Sequence, residues 1–139
     1  MRFQSMRIKE GLSERTINFS DGANLIHSGK NSCGKTTLLR LMLYSLGYNI
    51  PSTKRMRFDQ SEVESHLNCE NLGDIVAIRY NKDFLELTYK KEKATFVLPA
   101  QEKELHELLF GCTDEVILKN LLGAFYIDQE KGWTLLNRG

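Results

Sequence analysis

The sequence predicts an α/β fold in which an antiparallel β layer lies beside a partial parallel core, and three observations predict it. A glycine-flanked loop, Gly29-Lys30-Asn31-Ser32-Cys33-Gly34-Lys35-Thr36, stands where a short strand, Asn24 to Ser28, hands over to an apolar helix. Three β-rich segments between Asp74 and Leu98 are separated by hydrophilic tips, which is the pattern of a meander. Two helical stretches and a further apolar strand follow, so helices and strands share one chain.

The first element, Arg2 to Lys9, reads as a strand with Phe3, Met6 and Ile8 as its apolar members, and a second short strand lies around Thr16 to Phe19. Asp21-Gly22 supplies a turn before the Asn24 to Ser28 strand. The helix that begins near Gly34 carries Leu38, Leu39, Leu41, Met42, Leu43 and Leu46 as its buried members, and Gly47 ends it in the left-handed cap position. Asn49 to Asp59 is a loop with Pro51 and a basic cluster. Ser61 with Glu64 matches a capping box, which predicts a short helix from Glu62 to about Leu67. Asp74 to Tyr80, Phe84 to Tyr89 and Ala94 to Leu98 are the meander strands, with tips at Asn81-Lys82-Asp83 and Lys90 to Lys93. Glu102 to Phe110 and Asp114 to Leu122 are helical, divided by Gly111, with Thr113 or Asp114 as the second cap. A last strand, Ala124 to Asp128, leads into Gln129-Glu130-Lys131-Gly132-Trp133.

With 139 residues the chain is expected to form a single lobe, residues 1–139, large enough to bury a core. A net charge of +1 with 27% charged residues excludes a global basic field that would draw it onto nucleic acid. Cys33, Cys69 and Cys112 are odd in number and widely spaced, which suits reduced thiols in a cytoplasmic protein better than a zinc site. No apolar run is long enough to cross a bilayer, so no membrane association is expected.

The loop is a complete GxxxxGK[ST] pattern, and its residue types suit a polyphosphate. Gly29 and Gly34 lack a Cβ, so successive N–H groups from Asn31 to Thr36 can curl around phosphate oxygens as an anion nest. The helix behind them adds the positive end of its dipole. Lys35 is expected to reach the β- and γ-phosphates, the Thr36 hydroxyl to ligate Mg²⁺, and Thr37 to stand on the α-phosphate side. The nucleotide-contacting set is therefore Gly29, Lys30, Asn31, Ser32, Cys33, Gly34, Lys35, Thr36 and Thr37, with ATP and Mg²⁺ as ligands. The bland alternative is a glycine-rich turn without a ligand, and Cys33 is then simply a small residue in a tight turn.

With Asn31 as its third residue, the loop resembles the G-x-N-x-x-G-K-[ST] version of the SMC and RecN-like ATPases, a branch of the ABC-type superfamily. The layout is similar too: an opening edge strand, an early phosphate loop, an inserted antiparallel layer and a glutamine at a strand end. The resemblance implies a P-loop NTPase lobe, the N-terminal part of an incomplete ABC-type head. It also implies that Gln129 is the Q-loop glutamine, which ligates Mg²⁺ or its water and relates nucleotide occupancy to movement of a second lobe. A rival reading makes Phe125-Tyr126-Ile127 a Walker B strand with Asp128 as the Mg²⁺ acid and Glu130 as the base. The family's Walker B places its glutamate directly after the aspartate, where this chain has Gln129. A plain buried strand with a charged end is the third reading.

No signature motif, catalytic glutamate or switch histidine is convincing before Gly139. The expectation is that ATP hydrolysis, with Lys35 and Gln129 as its catalytic residues, needs a C-terminal lobe of the same protein or a second chain. Head-to-head dimerisation on ATP would complete the site, and DNA would be contacted only by the full assembly. The preferred function is thus the ATP-binding lobe of an SMC/RecN-like ATPase in DNA maintenance, repair or defence. The alternatives are an ABC transporter ATPase subunit, disfavoured by Asn31 and the wide interval from Lys35 to Gln129, and a non-catalytic ATP-binding switch. Lys54, Arg55 and Arg57 could meet phosphate groups, although a solvated loop suits them better. No motif fixes a role for Arg7 or Arg15. His27, His66 and His106 are scattered, and Trp133 could pack against a further lobe.

Overall fold

Strand β1, Arg2–Glu10, turns at Gly11 and Leu12 into β2, Ser13–Asn18, and the two pair antiparallel with Met6 opposite Ile17 and Ile8 opposite Arg15. The computed structural model describes residues 1–27, 29, 34–51, 56–112, 114, 116 and 117. Within them, helix α1 (Lys35–Ser45) precedes a single 3-10 turn at Phe58–Gln60. Strands β3 (Ser61–Cys69), β4 (Gly73–Tyr80), β5 (Phe84–Tyr89) and β6 (Glu92–Val97) come next, then helix α2 (Glu102–Phe110).

The strands form one sheet in the order β2-β1-β3-β4-β5-β6, and each pairing is antiparallel. The expected antiparallel layer is therefore present, and the partial parallel core is not seen among the described residues. The strand expected over Asn24 to Ser28 does not form over 24–27, and Ser28 lies outside the described residues. Local chemistry explains the difference. The Asn24 side chain accepts from the Ser20 N–H (2.8 Å) and hydroxyl (3.0 Å) and donates to the Ser20 carbonyl (3.0 Å), closing a loop on itself. No described strand lies alongside to offer a competing ladder.

The helix expected over Glu62 to Leu67 is also corrected, because those residues lie inside β3. Burial alternates along β3: Ser61, Val63, Ser65, Leu67 and Cys69 point to the core, and Glu62, Glu64, His66 and Asn68 point away. Ser61 donates its hydroxyl to the Arg57 carbonyl at 2.6 Å, while Glu64 pairs with Arg7 of β1 and with His66. Neither end of the apparent capping box caps anything. A period of two in burial outweighed the four-residue motif.

The core lies on one face of the sheet. Met6, Val63, Leu67, Ile75, Ala77, Leu85, Leu87 and Phe96 meet Leu38, Leu41 and Tyr44 of α1 and Leu105 and Leu109 of α2. Burying a side chain of this size contributes roughly 1.5–3 kcal/mol, so the sheet face and the helices hold each other. Burial reaches around most of α1, with Leu38, Arg40, Leu41, Leu43, Tyr44 and Ser45 all buried. Leu39, expected in the core, is 36% exposed. The hairpin tips are tight: Lys90 and Lys91 take positive φ as a two-residue turn of this twist requires, and Asn81 and Lys82 take it within the three-residue tip Asn81-Lys82-Asp83. Gly47, at φ +96, follows α1 as expected of a left-handed terminus.

Asp114 accepts from the N–H groups of Val116 (2.9 Å) and Ile117 (3.1 Å), which is the capping geometry expected there, and Thr113, the other candidate cap, lies outside the described residues. The rest of the expected second helix, the strand over Ala124 to Asp128, and Trp133 lie outside the described residues.

Candidate nucleotide site

Helix α1 begins where the glycine-flanked loop ends. Gly34 takes the left-handed conformation (φ 89, ψ 12), and its carbonyl accepts from the Leu38 N–H at 2.9 Å, which winds the first turn. Among the described residues no side chain caps this helix, and no acidic residue occupies its first turn. Helix α2 differs, with Glu102 and Glu104 in its first turn to complement its dipole. The first turn of α1 thus carries no acidic side chain, and Lys35 adds a positive charge there. That chemistry fits an external polyanion.

A Cβ built on Gly29 or Gly34 would meet no atom of the described residues within 4 Å. Gly29 is exposed, whereas Gly34, Lys35, Thr36 and Thr37 are half-buried. These last four are brought together at one helix end. Lys30, Asn31, Ser32 and Cys33 lie outside the described residues, as do Gln129, Asp128 and Glu130 of the Q-loop and Walker B readings.

The far end of α1 holds two residues that the sequence reading did not assign to the site. Arg79 of β4 is 2% exposed and donates from Nη1 to the carbonyls of Tyr44 and Tyr48, each at 2.7 Å. Its Nε donates to the Lys82 carbonyl at 2.9 Å, and the guanidinium lies 3.7 Å from the centre of the Tyr44 ring. Burial lowers its pKa to about 10, with Tyr44, Glu102 and Asp83 acting in the opposite direction. His106 of α2 donates from Nε2 to the Leu46 carbonyl at 3.0 Å and lies against the rings of Tyr48 and Phe110. Carbonyls at the negative end of α1 are therefore met by an arginine from the sheet and a histidine from the second helix. A signal was available: in Ile75, Ala77, Arg79 an arginine falls on the inward phase of an alternating strand.

The remaining candidates stand elsewhere. Arg7 pairs with Glu64 on the outer sheet face, and Glu14 lies 3.7 Å away. Burial pushes the Glu64 carboxyl up, but its hydrogen bonds and charge interactions with His66 and Arg7 outweigh this and hold it below the usual value. Arg15 lies in β2 opposite Ile8, and Arg57 pairs with Asp59 at 3.0 Å while its N–H donates to Glu10. Lys54 and Arg55 lie outside the described residues. His27 is exposed, His66 lies on the outer face of β3, and His106 is buried on α2. Among the described residues, no three His, Cys, Asp or Glu side chains are grouped to hold a metal ion. Burial raises the pKa of the Cys69 thiol.

The sequence profile of the AAA domain family matches residues 3–128, a span that includes the helix opening at Gly34-Lys35-Thr36 against the sheet. The chain belongs to that family and corresponds to an N-terminal part of an SMC-like P-loop ATPase. It is similar to the Lamassu protein LmuB of Bacillus cereus (strain VD014), 25% identical over 136 residues, which covers 86% of this chain and 23% of the relative. It is also similar to the Lamassu protein LmuB of Bacillus sp. (strain NCIM 5461 / CCTCC AB 2011126 / NIO-1130), 28% identical over 134 residues, which covers 86% of this chain and 22% of that relative. The chain thus spans under a quarter of the length of these curated relatives. The family implies nucleotide binding. Among the described residues, no helix is long and apolar enough to cross a membrane.

Proposed function

We propose that residues 1–139 form the ATP-binding lobe of an SMC-like ATPase acting in DNA maintenance, repair or defence, and the Lamassu relatives favour defence among these. The observation that carries this reading is the start of α1, with left-handed Gly34, no acid in the first turn, and Lys35 and Thr36 at its opening. Gly29 to Thr37 would hold the phosphates through main-chain N–H groups. Lys35 would neutralise the outer phosphates and Thr36 would offer its hydroxyl to Mg²⁺. Mg²⁺, when bound there, supplies Lewis-acid polarisation of phosphate oxygens. Gln129 would complete the metal shell from the far strand. Hydrolysis would require further protein, either a C-terminal lobe or a second chain, in a head-to-head dimer formed on ATP. DNA contact would belong to that assembly.

Titration calorimetry of the folded chain with ATP and Mg²⁺ tests the reading. Binding is expected, together with a loss of at least about tenfold in affinity for Lys35→Ala, the scale of one lost charge-assisted contact. Absence of heat with both ATP and ADP would refute the site.

A further inference from the structure

The far end of α1 carries an inference that rests on the nucleotide reading above and goes beyond it. Arg79 bonds two rigid parts at once: the carbonyls of Tyr44 and Tyr48 at the end of α1, and the carbonyl of Lys82 in the β4–β5 tip. The guanidinium is planar and its donors are fixed relative to one another, so it cannot follow one part without dragging the other. Its burial, and the Tyr44 ring against it, remove the freedom to swing aside. The tip is tied in turn to the segment leading into α2, because Leu98 donates its N–H to the Asp83 carbonyl at 2.7 Å. An α-helix of eleven residues is stiff along its axis, so a constraint placed at Lys35 is carried to Ser45.

We propose that Arg79 is a positioning residue that makes the β4–β5 tip and Leu98 move as one body with the phosphate-loop helix, so that nucleotide bound at one end of α1 is registered at the tip. Binding that restrains α1 restrains the tip with it, and by reciprocity a loosened tip weakens binding. The coupling needs the fork, because a lysine keeps the charge and loses the geometry.

Amide hydrogen exchange on the full chain, with and without ATP and Mg²⁺, tests this. The amides to follow are those of Gly47 and Tyr48, which bond within the end of α1, and those of Asp83 and Leu98, which bond in and beside the tip. A slowing of at least about threefold at all four is expected in the wild type, as for a cooperative unit whose opening is suppressed by ligand. In Arg79→Lys the slowing is expected to persist at Gly47 and Tyr48 and vanish at Asp83 and Leu98. Slowing confined to α1 in the wild type, or full slowing at the tip in Arg79→Lys, overturns the coupling. Should Arg79→Lys fail to fold, Tyr44→Leu removes the ring that holds the guanidinium, and it must diminish the slowing at Asp83 for the coupling to stand. Calorimetry on the same samples separates the two ideas. Absence of ATP binding refutes the nucleotide site and the coupling with it, whereas binding without tip protection refutes only the coupling.

Discussion

Leu105 leaves no room for a Cβ on Gly47: one built there would stand 2.5 Å from Leu105 Cδ2. Leu105 is fully buried and cannot swing away, and Gly47 holds φ +96, so an alanine there meets both a clash and an unfavourable backbone. Gly47→Ala is expected to lower stability by about 2–4 kcal/mol, combining overpacking with the left-handed penalty. Urea unfolding would measure it, and a loss below about 0.5 kcal/mol would show that α2 does not close on α1 in this way.

Among the described residues, Tyr48 buries its hydroxyl without a hydrogen-bond partner, and burial raises its pKa, with Glu102 adding to the effect. Removing an unsatisfied polar atom from the core is favourable while the ring keeps its packing. Tyr48→Phe is therefore expected to raise stability by up to about 1 kcal/mol. A clear destabilisation in thermal or urea melts would mean that the hydroxyl has a partner after all.

Glu64 gains stability from ionisation, because its folded pKa is held below 4.5 by His66 and Arg7 despite its burial. A depressed carboxylate contributes its stability above the unfolded value and loses it as pH falls through the folded value. Wild-type stability should thus decline below pH 4.5, and Glu64→Gln should show a shallower decline with lower stability at neutral pH. Parallel acid limbs for the two proteins would contradict the assignment.

Gly34 and Gly29 are expected to respond differently to alanine. Among the described residues nothing crowds either position, but of the two only Gly34 lies in the left-handed region, at φ +89. Gly34→Ala should cost about 1–2 kcal/mol in stability and Gly29→Ala within about 0.5 kcal/mol. Equal costs would mean that the helix start does not depend on Gly34.

Sequence patterns carried the antiparallel layer well where local signals agreed with the final packing. The limits of β5 and α2 fall where turn residues and apolar spacing put them, and β1, β4 and β6 differ only at their ends. Errors arose where a short motif competed with a longer pattern, as with Ser61 and Glu64 against the alternation from Ser61 to Cys69. They also arose where an element needs neighbours, as at Asn24, whose side chain satisfies the local backbone when no described strand is alongside. The start of α1 was legible because Gly34, Lys35 and Thr36 act through main-chain conformation and position. Arg79 was not, because its importance lies in carbonyls of residues more than thirty positions away.

The strand order makes the docking of β1 on β3 a late event in folding. β3 to β6 join successive neighbours through short turns, whereas β1 reaches β3 only after the chain closes around the whole stretch that contains α1. Long closures carry a larger entropic cost and form more slowly than hairpins. Pulse labelling during refolding should therefore find β4 and β5 amides protected before those of β1 that bond to β3.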